Sequence, residues 1–121
     1  MSFSIICPTL WRVPSFPEFI NNISDDPLVG EIILISNNKE IPHIPFNKKI
    51  QIIDLQHNIG VNPAWNLGVT LSKNDDLLFL NDDITFDPGL LKYIKKNISL
   101  EEVGMVGLDL PHTPAGAHII E

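Results

Sequence analysis

Five short apolar runs limit what this chain can fold into: residues 3–7, 31–36, 50–55, 77–80 and 103–108. Each is four to six residues long, dominated by Ile, Val, Leu or Phe, and several are continuous rather than alternating. Continuous runs of that length read as strands covered on both faces, as in parallel sheets.

Helical patterns fall between the runs. Residues 15–23 offer Ser15 as an N-cap, Pro17 in the first turn, and Phe16, Phe19, Ile20 and Ile23 on one face. Asn62 and Pro63 read as N-cap and first helical residue of a helix reaching about Ser72, with Ala64, Leu67, Gly68 and Leu71 packed. Asp87 and Pro88 repeat that start signal before Leu90, Leu91, Ile94 and Ile98, and Lys92, Lys95 and Lys96 suit the end of the helix dipole. The order predicts an α/β fold, a three-layer α/β/α sandwich around a mostly parallel sheet. Residues 37–49, with Pro42 and Pro45, read as a connecting loop, and residues 111–121 as an irregular tail.

A chain of 121 residues fits a single domain, residues 1–121, able to bury roughly two-thirds of its unfolded surface. Eight Lys and Arg against fifteen Asp and Glu give a formal charge of -7, which disfavours nucleic acid and anionic membranes as partners. One cysteine, Cys7, excludes an internal disulfide and a multi-cysteine zinc site. The first residues lack a signal peptide's basic start, and no apolar stretch approaches the ~20 residues of a membrane helix. A cytoplasmic location is the resulting expectation.

Ligands in open α/β sheets bind beyond the carboxyl ends of the strands. Residues 8–12, 36–38, 56–60 and 81–83 occupy those places and are mostly polar. Asn81, Asp82 and Asp83 directly follow an apolar run, where hard oxygen ligands can hold Mg²⁺ or Mn²⁺ and bridge to a diphosphate. The plainer alternative is a strand ended by Asp82 and Asp83 bonding turn amides. Asn74, Asp75 and Asp76 precede the same run and read as a solvated turn at the opposite end of the sheet. Gly60 suits a tight turn before a helix, and Gly68 inside that helix signals close approach to a neighbouring element.

Three segments in order resemble the nucleotide-sugar-binding half of a family-2-like glycosyltransferase with the GT-A fold. The first runs from Ser4 through Pro8, Thr9, Leu10, Trp11 and Arg12; the second from Asn58, Ile59 and Gly60 through Ala64, Trp65, Asn66, Leu67 and Gly68. The third is Leu78, Phe79, Leu80, Asn81, Asp82 and Asp83, similar to the strand that ends in a metal-binding Asp-x-Asp motif. Val103 to Gly107 fits the next strand, so the resemblance covers about residues 3–110.

The resemblance implies that Pro8 and Thr9 line the base and ribose pocket, with Asn37 near the base. It implies that Asn58 and Asn66 shape the pocket, and it places Arg12 and Gly60 in the same donor-binding set. Asp83 would be the principal Mn²⁺ or Mg²⁺ ligand, with Asp82 at the ribose or the metal. The expected partners are a UDP-, GDP- or dTDP-linked sugar and an unidentified acceptor.

Several positions depart from the family pattern. Asn81 stands at the usual first Asp, Ser36 where an Asp commonly recognises the base, and Trp65 where Arg often precedes the Asn. Packing is the favoured role for Trp65. The catalytic base and acceptor region of such enzymes follow the metal motif at some distance, and no residue here matches that base; Asp109, Glu121, His112 and His118 are the late polar candidates. The length leaves room for a partner chain, or a second copy paired through residues 103–108, to supply an acceptor region.

Two other readings stand beside a metal-dependent glycosyltransferase. One is a non-catalytic nucleotide-sugar-binding module. The other is a receiver-like phosphorylation domain, although Pro8 and Thr9 occupy the place of a receiver's first acidic pair and no Lys follows residues 103–108.

Overall fold

A computed structural model describes residues 2–87, 89–98, 104–108 and 117–120. The chain divides into two compact units, Met1–Thr85 and Phe86–Glu121. The first unit contains β1 (Phe3–Thr9), α1 (Phe16–Ile23), β2 (Val29–Ser36), β3 (Ile50–Asp54), α2 (Val61–Leu71) and β4 (Asp76–Phe79). Its four strands form one parallel sheet in the order β3-β2-β1-β4. This is the Rossmann-like α/β arrangement expected from the alternating runs.

The order fixes a switch point. The chain steps from β1 to β2 to β3 in one direction, then returns past β1 to place β4 on its other side. Right-handed crossovers in opposite directions put α1 and α2 on opposite faces. The carboxyl ends of β1 and β4, neighbours at that switch point, border the crevice in which such sheets bind ligands.

Burial explains why β1 reads as a continuous apolar run. It is central, and all seven of its residues are buried. The polar one at its start, Ser4, donates to Glu31 Oε2 at 2.6 Å and accepts from Asn74 Nδ2 at 3.0 Å. Asn74 therefore closes the far end of the sheet, as its place before β4 suggests.

On one face Ile33, Ile35 and Ala64 form a buried cluster, flanked by Ile53, Leu55, Ile59, Leu67 and Leu71. Gly68 is what lets α2 lie against β1. A Cβ there would stand 2.2 Å from Ile6 Cγ2, so any side chain forces the helix away from the strand. In α1, Phe16, Ile20 and Ile23 are buried and Phe19 is half-buried, one stripe of the amphipathic pattern. Ser15 is the N-cap residue, but its side chain makes no capping bond.

The α2 start differs from the sequence expectation. Its N-cap is Gly60, so Asn62 and Pro63 lie inside the first turn. Gly60 has φ 88°, a left-handed conformation that favours glycine and takes precedence over the Asn-Pro start signal.

The second unit contains α3 (Gly89–Ile98), β5 (Met105–Leu108) and β6 (Ala117–Ile120). Leu91 and Ile94 are the buried positions of α3, and Lys95 and Lys96 stand in its last turn. β5 pairs antiparallel with β6 in a separate two-stranded sheet. One expectation is corrected here. Residues 117–120 are a strand rather than irregular tail, because Ala117–Ile120 finds a ladder partner in β5. Among the described residues no helix is long and apolar enough to cross a membrane.

Candidate functional site

The crevice at the switch point is a cleft of about 300 Å³, lined by the loops that follow β1, β2, β3 and β4. Of the sequence-expected residues it gathers Pro8, Thr9, Asn37, Asn58, Gly60, Asn81, Asp82 and Asp83, and it adds Leu10 and Val61. Arg12 and Asn66 are exposed and are not among its lining residues. The Asn66 carbonyl accepts the Thr70 hydroxyl at 3.0 Å within α2. Leu10 and Val61 carry no chemical signal in the sequence; only the topology brings them to the cleft.

Leu80 carries β4 one residue further by donating its N–H to the Ile6 carbonyl at 3.0 Å. This fixes where Asn81, Asp82 and Asp83 emerge. Asp83 and Asn81 are exposed, whereas Asp82 is half-buried because Thr9 holds it. The Thr9 hydroxyl donates to Asp82 Oδ2 at 2.8 Å and accepts the Trp11 backbone N–H at 2.9 Å.

The opposite wall is held by Asn37, which is 5% exposed. Its Nδ2 donates to the Gly60 carbonyl at 3.2 Å, and its Oδ1 accepts the Ile59 N–H at 3.3 Å. Asn58 Oδ1 accepts the Gly60 N–H at 2.8 Å, closing the turn before α2. Asn37 is thus a clamp on the 58–60 loop, and exposed Asn58 is the amide beside it that lines the cleft.

Ser36 is fully buried and already engaged. It accepts the Trp11 indole N–H at 2.8 Å and donates to the Asn38 carbonyl at 3.4 Å. Trp11 has φ 61°, unusual for a bulky residue, and its ring meets Phe16 edge-on with centroids 6.0 Å apart. Trp65 packs edge-on against Phe79 at 5.8 Å, and its indole nitrogen is buried without a hydrogen-bond partner. Packing is the role the sequence favoured for it.

The electrostatics are one-sided. Among the described residues the lining carries the Asp82 and Asp83 carboxylates and no Lys, Arg or His. Burial pushes the Cys7 thiol pKa up, and the charges of Asp82 and Asp83 push it further. Their field therefore reaches into β1 at Cys7. The groups left open to a ligand are hard oxygens and amides: the Asp82 and Asp83 carboxylates and the exposed side chains of Asn58 and Asn81.

That donor set fits Mg²⁺ or Mn²⁺, which bind through one or two carboxylates and complete their shells with water and phosphate oxygens. No group of three or more His, Cys, Asp or Glu able to hold a metal occurs among the described residues. An all-protein metal cage is not what the cleft provides. Asp109, His112 and Glu121 lie outside the described residues, and His118 pairs with Gly107 in the β5–β6 ladder.

The sequence profile described as Glycosyl transferase family 2 matches residues 4–117. The chain belongs to this family. It is 30% identical over 103 residues to the uncharacterized glycosyltransferase YwdF of Bacillus subtilis (strain 168), a match covering 81% of this chain and 38% of that protein. Its fold is similar to the crystal structure of S. aureus TarS 1-349, with a TM-score of 0.61 at 17% identity, over 81% of this chain and 32% of that one. The chain thus spans about a third of the length of each of these two proteins. Family membership replaces the receiver-like alternative.

Proposed function

We propose that this chain is the donor-binding part of a glycosyltransferase and holds a nucleotide-diphosphate sugar through a divalent cation at Asp82 and Asp83. The carrying observation is the charge of the cleft, two carboxylates at the switch point with no cationic side chain among its described lining residues. A diphosphate is repelled by such a surface until a cation stands between them. A bound Mg²⁺ or Mn²⁺ would neutralise the diphosphate and stabilise it as the leaving group.

In this reading Asp83, open to solvent, is the principal ligand, and Asp82, held by Thr9, stands at the ribose or the metal. Pro8, Thr9, Asn58 and Gly60 border the nucleoside. Asn37 acts one step back, by holding the loop that carries Asn58 and Gly60. Ser36 is spent on Trp11 and Asn38, so base recognition falls to other groups. Transfer to an acceptor, with or without a partner chain, extends the same proposal to the full reaction.

The test is a titration of UDP-, GDP- and dTDP-sugars with and without Mn²⁺, followed by an assay for release of nucleoside diphosphate. Mn²⁺-dependent binding that is lost in Asp83→Ala supports the site. Release of nucleoside diphosphate supports an enzyme over a binding module. Absence of binding at millimolar concentrations, with and without metal, overturns the proposal.

A further inference from the structure

Trp11 has three features that the cleft lining alone does not explain. It is a bulky residue at φ 61°. Its indole N–H is spent on a fully buried hydroxyl, Ser36 Oγ, at 2.8 Å. Its backbone N–H is spent on another, Thr9 Oγ1, at 2.9 Å. A left-handed bulky residue persists only where its surroundings over-determine it, and such residues cluster at functional sites. Here the surroundings are Ser36, the edge-on ring of Phe16, and the preceding carbonyl of Leu10, which accepts from Asn38 Nδ2 at 3.0 Å.

The hydrogen inventory gives these bonds a direction. A backbone N–H can only donate, so Thr9 Oγ1 must accept from Trp11. A carboxylate can only accept, so the single Thr9 proton must go to Asp82 Oδ2, 2.8 Å away. The two bonds are consistent only in this order. With the indole pinned at Ser36, the φ of Trp11 decides where its N–H points, and that N–H decides which way the Thr9 hydroxyl turns. The path runs from the end of β2, through the end of β1, to the loop after β4.

We propose that Trp11 is a positioning residue for the cation site: the Ser36–Trp11–Thr9 relay orients the Asp82 carboxylate so that Oδ2 is held by Thr9 and Oδ1 remains for the cation. This inference rests on the proposed function, because it assigns a consequence to the orientation of Asp82. Trp11 itself touches neither cation nor donor.

The experiment measures Mn²⁺ affinity in the presence of UDP by the electron paramagnetic resonance signal of free Mn²⁺. It compares wild type with Trp11→Phe, Ser36→Ala, Thr9→Val and Trp65→Phe. Thermal melting of each variant, and the exchange rate of the Trp11 indole proton in metal-free protein, are read alongside. Trp11→Phe and Ser36→Ala are expected to weaken Mn²⁺ binding about tenfold, the scale of losing orientation at a charge-assisted hydrogen bond. Ser36→Ala also speeds exchange of the Trp11 indole proton.

Trp65→Phe removes an indole outside the cleft and is expected to stay within about twofold of wild type, since that nitrogen has no partner to lose. The discriminating pair is Trp11→Phe in the Thr9→Val background, where no further loss is expected because the transmitting hydroxyl is gone. A purely structural role would instead add a second loss there, and that outcome overturns the proposal. Wild-type binding with unchanged affinity in Trp11→Phe and Ser36→Ala overturns it while leaving the functional reading intact. A wild type that binds no Mn²⁺ with UDP overturns both.

Discussion

The Thr9 hydroxyl reaches Asp82 Oδ2 at 2.8 Å across 73 positions of sequence. This one bond ties the end of β1 to the loop after β4 at the point where the sheet reverses direction. It also divides the two adjacent carboxylates by environment, one held and one open. Replacing Thr9 by Val keeps the shape of the buried side chain and removes the bond. Mn²⁺-dependent UDP binding is expected to fall by about tenfold, the scale of a charge-assisted hydrogen bond, as measured by titration calorimetry.

Asp83 is exposed, so its removal has little structural cost. Asp83→Asn is expected to leave the melting temperature nearly unchanged and to lower Mn²⁺-dependent UDP binding at least about tenfold. Binding of UDP without metal should move the other way and strengthen, because one repelling charge is gone. Titration with Mn²⁺ and with a chelator separates the two effects.

Gly68→Ala tests the packing of α2 on β1. The new Cβ would meet Ile6 Cγ2 at 2.2 Å inside a fully buried layer. Alanine's higher helix propensity favours the variant by about 1 kcal/mol, and overpacking of this kind costs about 1–3 kcal/mol. A net loss of stability is expected in urea denaturation, and a gain would contradict the close approach.

Asn37→Ala removes both bonds that hold the 58–60 loop and leaves the Ile59 N–H and Gly60 carbonyl without that partner. Stability is expected to fall by about 1–3 kcal/mol, with donor binding weakened through displacement of Asn58. Hydrogen exchange at the Ile59 amide reports the loosened loop directly.

Cys7 gives the pH dependence. Its thiol pKa is raised in the folded chain, chiefly by burial and further by Asp82 and Asp83. The unfolded chain therefore loses the thiol proton at lower pH than the folded one. The contribution to stability is fully present below the ordinary thiol range and is lost as pH rises above roughly 8.5–9, by up to about 1.4 kcal/mol per pH unit. Denaturation in urea from pH 7 to 10, compared with Cys7→Ala, isolates that slope. Alkylation of the native thiol should also be far slower than that of the unfolded chain.

The sequence carried the fold well where burial controls the residue choice. β1 is apolar throughout because both faces and both edges are covered, and Gly68 is glycine because Ile6 occupies the space. The cleft was legible wherever polar residues follow strands, since the carboxyl ends of parallel strands converge. Sequence separation hid the remainder. The Ser36–Trp11 bond joins two residues 25 apart, and neither composition nor periodicity encodes the left-handed turn that makes it. Local start signals also misplaced the beginning of α2, because Asn37 pulls the preceding loop into a turn that only Gly60 can close. The antiparallel pairing of β5 with β6 is hidden for a related reason: four residues such as Ala117–Ile120 form a strand only once a partner is beside them.

The position of β4 in the sheet also governs when the cleft can come into being. β1 pairs with β2 early in the chain, but its second edge stays open until residues 76–79 arrive from the far side of α2. Loop closure over that distance is entropically slow, and it must precede any gain from the contacts it makes. Until it happens, Asp82 has no Thr9 to hold it, and the apolar β1 offers a bare hydrogen-bonding edge. Docking of β4 therefore completes the sheet and assembles the cleft in the same event. A destabilised β4 should therefore show weakened binding and aggregation through β1 together.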